Sequence, residues 1–197
     1  MMLGSKLGMT QIFDDNGSRV PVTVLSAGPC HVTQLLKDYS AVQIGYKEIP
    51  AKALSHSKKK YFEKINTTPL KFLKEFRVDS TENFEIGQLI TVEQFEIGQT
   101  VQVTSKSIGK GFAGTIKRHH FGRGPMAHGS KNHRAPGSIG ACATPGRVFP
   151  GKKMPGRLGG NTVTIKNLQV VDIDIENNLL VLKGSVPGKR GNLVKIA

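Results

Sequence analysis

The chain opens on two runs in which apolar and β-branched residues recur at short spacing, "KLGMTQIF" and "RVPVTVLS", with "DDNG" between them. This pattern predicts a β-hairpin whose turn takes its positive φ angles from Asn16-Gly17. "HVTQLLK" and "SAVQIGYKE" predict two more strands, and Gly28-Pro29 marks the turn between the pairs. The pattern then changes. "AKALSHSKKKYFEK" is lysine-rich, and "TTPLKFLKEFRV" places Leu70, Leu73 and Phe76 on one helical face behind Thr68 as N-cap and Pro69 in the first turn. Residues 50–76 are therefore expected to form a small helical insertion in a β framework, with the lysines at 58–60 on its solvated face.

The pentapeptide "FEIGQ" stands at 84–88 and again at 95–99, and leads first into "LITVEQ" and then into "TVQVTS". The spacing is far too short for a solenoid repeat and predicts successive turn-and-strand units of a small barrel. Strands resume with "NTVTIKNLQVVDIDI" and "NLLVLKGSV", joined by "ENN" as a turn, and "GNLVKI" closes the chain. Residues 105–160 interrupt this series with thirteen glycines and five prolines in 56 positions and little hydrophobic periodicity. The fold class read from these patterns is mainly β: a barrel body of 1–104 and 161–197, with 105–160 as an excursion between two of its strands. A segment of that composition has no means of building a core, so its order is expected to come from a partner. Phe112 and Ile116 are expected to anchor it where it leaves the body.

Charge sharpens this division. The formal net charge is +14, from 28 Lys and Arg against 14 Asp and Glu. No acidic residue lies between Glu96 and Asp172, yet those 75 positions hold twelve cations, from Lys106 to Lys166. The balance predicts a polyanionic partner. A membrane surface fits poorly, because no amphipathic face with large apolar groups is present. No stretch reaches the roughly 18 apolar residues of a membrane span, and "MMLGSKLGMT" lacks the apolar core and cleavage site of a signal peptide, so the reading is of a soluble intracellular protein. In that setting Cys30 and Cys142 are expected to stay reduced.

Several motifs invite sharper chemistry and fall short of it. "GKGFAG" matches GxGxxG at Gly109, Gly111 and Gly114, but no acid follows at the distance a ribose-binding carboxylate needs, and "FAGTIKRHHFGRGP" is a poor helix. "VPGKRG" lacks both the upstream glycine and the downstream hydroxyl of a phosphate-binding loop. His128 and His133, with Cys142 beyond them, suggest zinc, yet there is no cysteine pair and the ion would sit among uncompensated positive charges. As catalytic bases His119, His120, His128 and His133 lack a local carboxylate to orient them, and no Ser or Cys stands in a nucleophile turn. Nucleic acid accounts for all these features: cations neutralise phosphates, glycines admit close backbone approach, and prolines stiffen a chain without a core. With no recognition helix and no stacking pattern of aromatics, folded RNA fits better than DNA.

The strings "GSKLGMTQIFDDNG", "VPVTVL", "GKGFAGTIKRHHFGRGPMAHGSKNHRAPGSIG", "TPGRVFPGKKMPGRLGG" and "LLVLKGSVPG" together resemble the large-ribosomal-subunit protein L-three family, along the whole chain and in its bacterial or plastid form. The resemblance implies a translation-factor-like β-barrel with a small helical insertion and a long irregular Gly/Pro-rich basic extension that penetrates rRNA towards the peptidyl transferase region. It implies a structural role in the large subunit and in its early assembly, with no enzyme activity, cofactor, metal, membrane or small-molecule substrate. The implied partners are rRNA and neighbouring large-subunit proteins, in a bacterial cytoplasm or plastid stroma; the alternative is a free basic RNA chaperone or assembly factor. Carried over residue by residue, the rRNA contacts become Lys106, Lys110, Lys117, Arg118, His119, His120, Arg123, His128, Lys131, Asn132, His133, Arg134, Arg147, Lys152, Lys153 and Arg157. Ala141, Cys142, Ala143 and Thr144 become the extension's tip. Relatives that methylate a glutamine side chain do so at the position of Ala143, which has no amide to modify.

Overall fold

The computed structural model describes residues 1–36 and 40–197, so Lys37, at the end of the third expected strand, lies outside the described residues. The architecture is mainly β and divides into two compact units, Met1–Lys106 with Thr162–Ala197, and Ser107–Asn161.

In the first unit, β1 (Met2–Phe13), β2 (Arg19–Ala27), β7 (Thr100–Lys106), β10 (Thr162–Asp174), β11 (Leu179–Lys183) and β12 (Leu193–Ile196) pair in a closed ring, in the order β1-β12-β7-β10-β11-β2. Each strand pairs antiparallel with both neighbours, and closure leaves none of the six wholly unpaired along one side. Alternation decides which side chains enter. Val101, Val103 and Ser105 of β7, Leu180 and Leu182 of β11, and Val194 and Ile196 of β12 are buried, while residues between them face outward or are half-exposed.

A second sheet of the same unit is ordered β5-β4-β3-β6, with β3 (Cys30–Leu36), β4 (Ala41–Glu48), β5 (Leu70–Arg77) and β6 (Leu89–Ile90). Val32, Val42, Ile44, Phe76 and Ile90 join Leu3, Leu25 and Val103 in one continuous core. Tyr46 reinforces this junction, its hydroxyl donating to Ser26 O at 3.2 Å. The strands at 30–48 thus belong to this sheet and not to the barrel. The two FEIGQ copies likewise split: one feeds β6 of the second sheet, the other feeds β7 of the barrel. Their local geometry is nonetheless the same. Gly87 and Gly98 take φ of +89° and +88°, and the Gln88 and Gln99 amides close back on Glu85 O and Glu96 O at 3.1 and 3.2 Å.

Three local expectations need correction. The helix of the insertion is α1 (His56–Lys64), whereas 70–77 is strand β5. Leu70 and Phe76 are buried and Phe72 half-buried on one side of β5, and seven register pairs with β4 outweigh the helical spacing of Leu70, Leu73 and Phe76. In the first hairpin only Gly17 has positive φ; Gly17 N–H donates to Asp14 O at 2.8 Å and Asp14 N–H to Ser18 O at 3.1 Å, a three-residue loop in place of a two-residue turn. At the anchor, Phe112 is 80% exposed, and Ala113 and Thr115 are the buried side chains.

Candidate nucleic-acid interface

The Ser107–Asn161 unit is built from backbone more than from side chains. Its two limbs run antiparallel at the base: Ser107 N–H donates to Asn161 O at 2.8 Å, Lys110 N–H to Leu158 O at 2.8 Å, and Leu158 N–H to Gly111 O at 2.9 Å. The ladder continues as β8 (Phe112–Ala113) against β9 (Gly156–Arg157). Only glycine fits this approach at 159, where a Cβ would stand 2.0 Å from Ile108 O. The segment therefore has a hydrogen-bonded stem of its own, more order than its composition predicts.

The stem leads into α2 (Thr115–His119), a short helix in a stretch that composition disfavours. Lys117, Arg118 and His119 crowd its last turn, where the helix dipole favours positive charge, and His120 caps it in the left-handed region with φ +60°. Arg118 and His119 then reach the returning limb: the Arg118 guanidinium donates to Met154 O at 2.8 Å, and His119 Nε2 lies 3.0 Å from the same oxygen. Gly156 leaves room for that guanidinium, since a Cβ there would sit 2.6 Å from Nη1. Arg118 and His119 are thus half-buried struts of the unit.

Beyond α2 a smaller loop closes on itself. Gly124 N–H donates to His133 O at 3.1 Å, and His133 Nδ1 lies 2.9 Å from Pro125 O, which makes His133 a third half-buried strut. Its two bonding neighbours expose their side chains: Asn132 and Arg134 face solvent, as do Arg123, His128 and Lys131. Farther along, Arg147 is exposed with its guanidinium 5.8 Å from the Phe149 ring centroid. Lys110, Lys117, His120, Lys152, Lys153 and Arg157 are also exposed, as are Ala141, Cys142, Ala143 and Thr144. Lys106 is exposed at the end of β7, in the barrel unit.

Electrostatics follow from composition. The unit carries ten Lys and Arg and no Asp or Glu, so none of its cations can be neutralised from within. Among the described residues no three or more His, Cys, Asp or Glu side chains form a group able to hold a metal ion. What the arrangement offers a ligand is a field of cations and accessible backbone on a stiffened but shallow scaffold. The struts at Met154 O and Pro125 O, and the close approaches at Gly124, Gly156 and Gly159, had one sequence signal, the glycine density; which glycines mattered was not readable.

The family model for ribosomal protein L3 matches residues 74–178, which include this entire unit. The large ribosomal subunit protein uL3c of Guillardia theta is 60% identical over 199 residues, covering 99% of this chain and 98% of that protein. The uL3c of Porphyra purpurea is 56% identical over 100% of this chain and 98% of its own length. The uL3 of Prochlorococcus marinus is 57% identical, over 99% of this chain and 92% of that protein. Identity of this degree along the full length establishes that the chain belongs to the ribosomal protein L3 family.

Proposed function

We propose that this chain is a structural, non-catalytic constituent of the large ribosomal subunit, of the plastid or cyanobacterial kind, that binds rRNA chiefly through Ser107–Asn161. The observation that carries the reading is a unit of ten cations without a carboxylate, stiffened by backbone ladders, with nine of those cations exposed. Phosphates supply the counter-charge that the unit lacks, and the glycine-rich backbone brings N–H groups within reach of them. The exposed cations Lys110, Lys117, Arg123, Lys131, Arg134, Arg147, Lys152, Lys153 and Arg157 take the phosphate contacts, with His120, His128 and Asn132 as hydrogen-bonding partners. Arg118, His119 and His133 hold the shape of the unit.

In the finer form of this proposal the ring of strands is a translation-factor-like barrel that docks on the rRNA surface beside other large-subunit proteins. The 107–161 unit is then the extension, filling an rRNA crevice with residues 141–144 at its tip, near the peptidyl transferase region, and helping to nucleate subunit assembly. Sedimentation of a lysate through sucrose at moderate and high salt, with the protein followed by mass spectrometry, tests the reading. Co-migration with the large subunit through the high-salt wash is expected. Recovery at the top of both gradients would refute it and favour a free RNA chaperone.

A further inference from the structure

A second cationic surface lies wholly within the barrel-bearing unit. Lys74 of β5, Thr104 and Lys106 of β7, Thr162 of β10, and Asn192 and Lys195 at β12 line one groove of about 370 Å³. The sheet register explains the gathering. On β7, Val103 and Ser105 point into the core, so Thr104 and Lys106 point out; Lys195 pairs with Thr104, and Thr162 with Lys106, which places all four on one outer face. Lys74, opposite Ile44 in the second sheet, closes the other wall. Three of the lining residues are lysines and none is acidic.

The polar atoms are already partly committed, and what remains uncommitted defines a ligand. Asn192 Nδ2 donates to Ser105 Oγ at 2.9 Å and to Lys106 O at 2.8 Å, which uses both its hydrogens and leaves the amide oxygen as acceptor. Lys195 is held at the groove with its ammonium 4.1 Å from the Phe76 ring centroid and donating to Glu75 O. Burial, and then the neighbouring Lys74 charge, push the Lys195 pKa below its ordinary value, partly offset by Glu75. A bound anion would relieve that repulsion. The ligand that matches is an anion carrying a hydroxyl donor beside it.

From this geometry we infer that the groove binds the sugar-phosphate backbone of rRNA, phosphate oxygens meeting Lys74, Lys106 and Lys195 and a ribose 2′-hydroxyl donating to Asn192. The inference rests on the rRNA-binding reading above and adds a contact within the Met1–Lys106 and Thr162–Ala197 unit, through β5, β7 and β12. An acidic protein segment is the competing occupant. Charge and hydroxyl together favour RNA, because a glutamate or aspartate side chain brings no hydroxyl to Asn192.

The test measures binding of the full chain to a large-subunit rRNA transcript from Prochlorococcus marinus across a salt series, with polyglutamate as a second probe. Lys74→Gln is expected to lower the slope of log K against log salt by about 0.7 to 0.9, and Lys74→Gln/Lys106→Gln by about twice that. Lys74→Arg should restore it. Lys74 and Lys106 are exposed, so the variants keep the wild-type melting curve. Lys58→Gln/Lys60→Gln, on α1, controls for general loss of charge and should leave the slope within about 0.3 of wild type. An unchanged slope in the groove variants, or an equal fall in the α1 control, overturns the groove while wild-type affinity keeps the broader reading. Polyglutamate binding that Lys74→Gln abolishes, with rRNA binding intact, reassigns the groove to an acidic protein. Failure of the wild-type chain to bind the transcript defeats both.

Discussion

Gly124→Ala tests whether the small loop of the 107–161 unit is a shaped element or merely a carrier of charge. A Cβ at 124 would stand 1.7 Å from Asn132 O and 2.9 Å from Asn132 C. Both are backbone atoms, so no side chain can rotate away, and the limb bearing Asn132 and His133 must move by more than an ångström to reach ordinary contact. That movement breaks the Gly124 N–H to His133 O bond of 3.1 Å and pulls His133 Nδ1 from Pro125 O, now at 2.9 Å. Losing one or two such bonds costs about 1 to 2 kcal/mol, which corresponds to roughly 5- to 30-fold in affinity if the ligand requires the closed loop. The charge of the protein is unchanged. The assay is filter binding of the full chain to large-subunit rRNA at fixed salt, with the barrel's melting followed by circular dichroism. Gly122→Ala is the control, since a Cβ there meets nothing within 4 Å and its φ is ordinary. The expected result is a loss of affinity in Gly124→Ala alone, with the same melting curve in all three proteins. Equal affinities for Gly124→Ala and wild type would refute the reasoning and reduce the loop to its cations.

Lys6 is buried in the barrel wall with its ammonium donating to Val186 O at 2.6 Å and Gly188 O at 3.2 Å; Lys6→Met is expected to destabilise the barrel by about 3 kcal/mol in urea unfolding, because both carbonyls lose a charged donor. Phe76, 2% exposed between the two sheets, should cost about 3 to 5 kcal/mol when replaced by alanine, read in the same assay. Burial raises the Cys30 thiol to about 12 from an ordinary 9.0, so its contribution to stability is complete below pH 9 and is lost as pH rises from there through about 12. Cys30→Ala should flatten that alkaline part of the stability profile. In the native protein a thiol reagent at pH 8 should modify the exposed Cys142 and reach Cys30 only after denaturation.

The strands were legible where burial is one-sided. In "TVQVTSK" and "LLVLK" the alternation of buried and outward residues is the same in sequence and structure. Legibility failed where partners far along the chain decided. Leu70, Leu73 and Phe76 carry a helical spacing, but β4 was already waiting with seven register partners for 70–77, and nothing within that segment announces it. The choice of sheet was equally remote: the FEIGQ copies form the same turn, yet Gly87 N–H donates to Val32 O in one sheet and Gly98 N–H to Val170 O in the barrel, both at 2.8 Å. At the stem, hydrophobicity singled out Phe112, but pairing with Arg157 set the parity of β8 and turned Ala113 inward. For the candidate interface, charge and glycine content identified the segment. Which cations also brace it was hidden, because Arg118 and His119 differ from their neighbours only by facing a carbonyl 36 and 35 residues away.

The missing carboxylates explain why bracing falls to backbone oxygens. A carboxylate placed to hold Arg118 or His133 would have oriented them more strongly than a carbonyl does, since charge-assisted bonds are the stronger kind. It would also have neutralised one of the ten cations and set a negative charge in a unit that holds none. Met154 O and Pro125 O fix side-chain positions without spending charge, so Arg118 keeps its full positive field while serving as a strut. The cost falls on the free unit, in which like charges closer than a Debye length of about 10 Å repel and the backbone and strut hydrogen bonds oppose them. Glycine is what lets those bonds form, by allowing the limbs to approach to the distances seen at 124, 156 and 159. High glycine content and the absence of acid are therefore one solution to a single requirement, a shaped surface that keeps all of its positive charge.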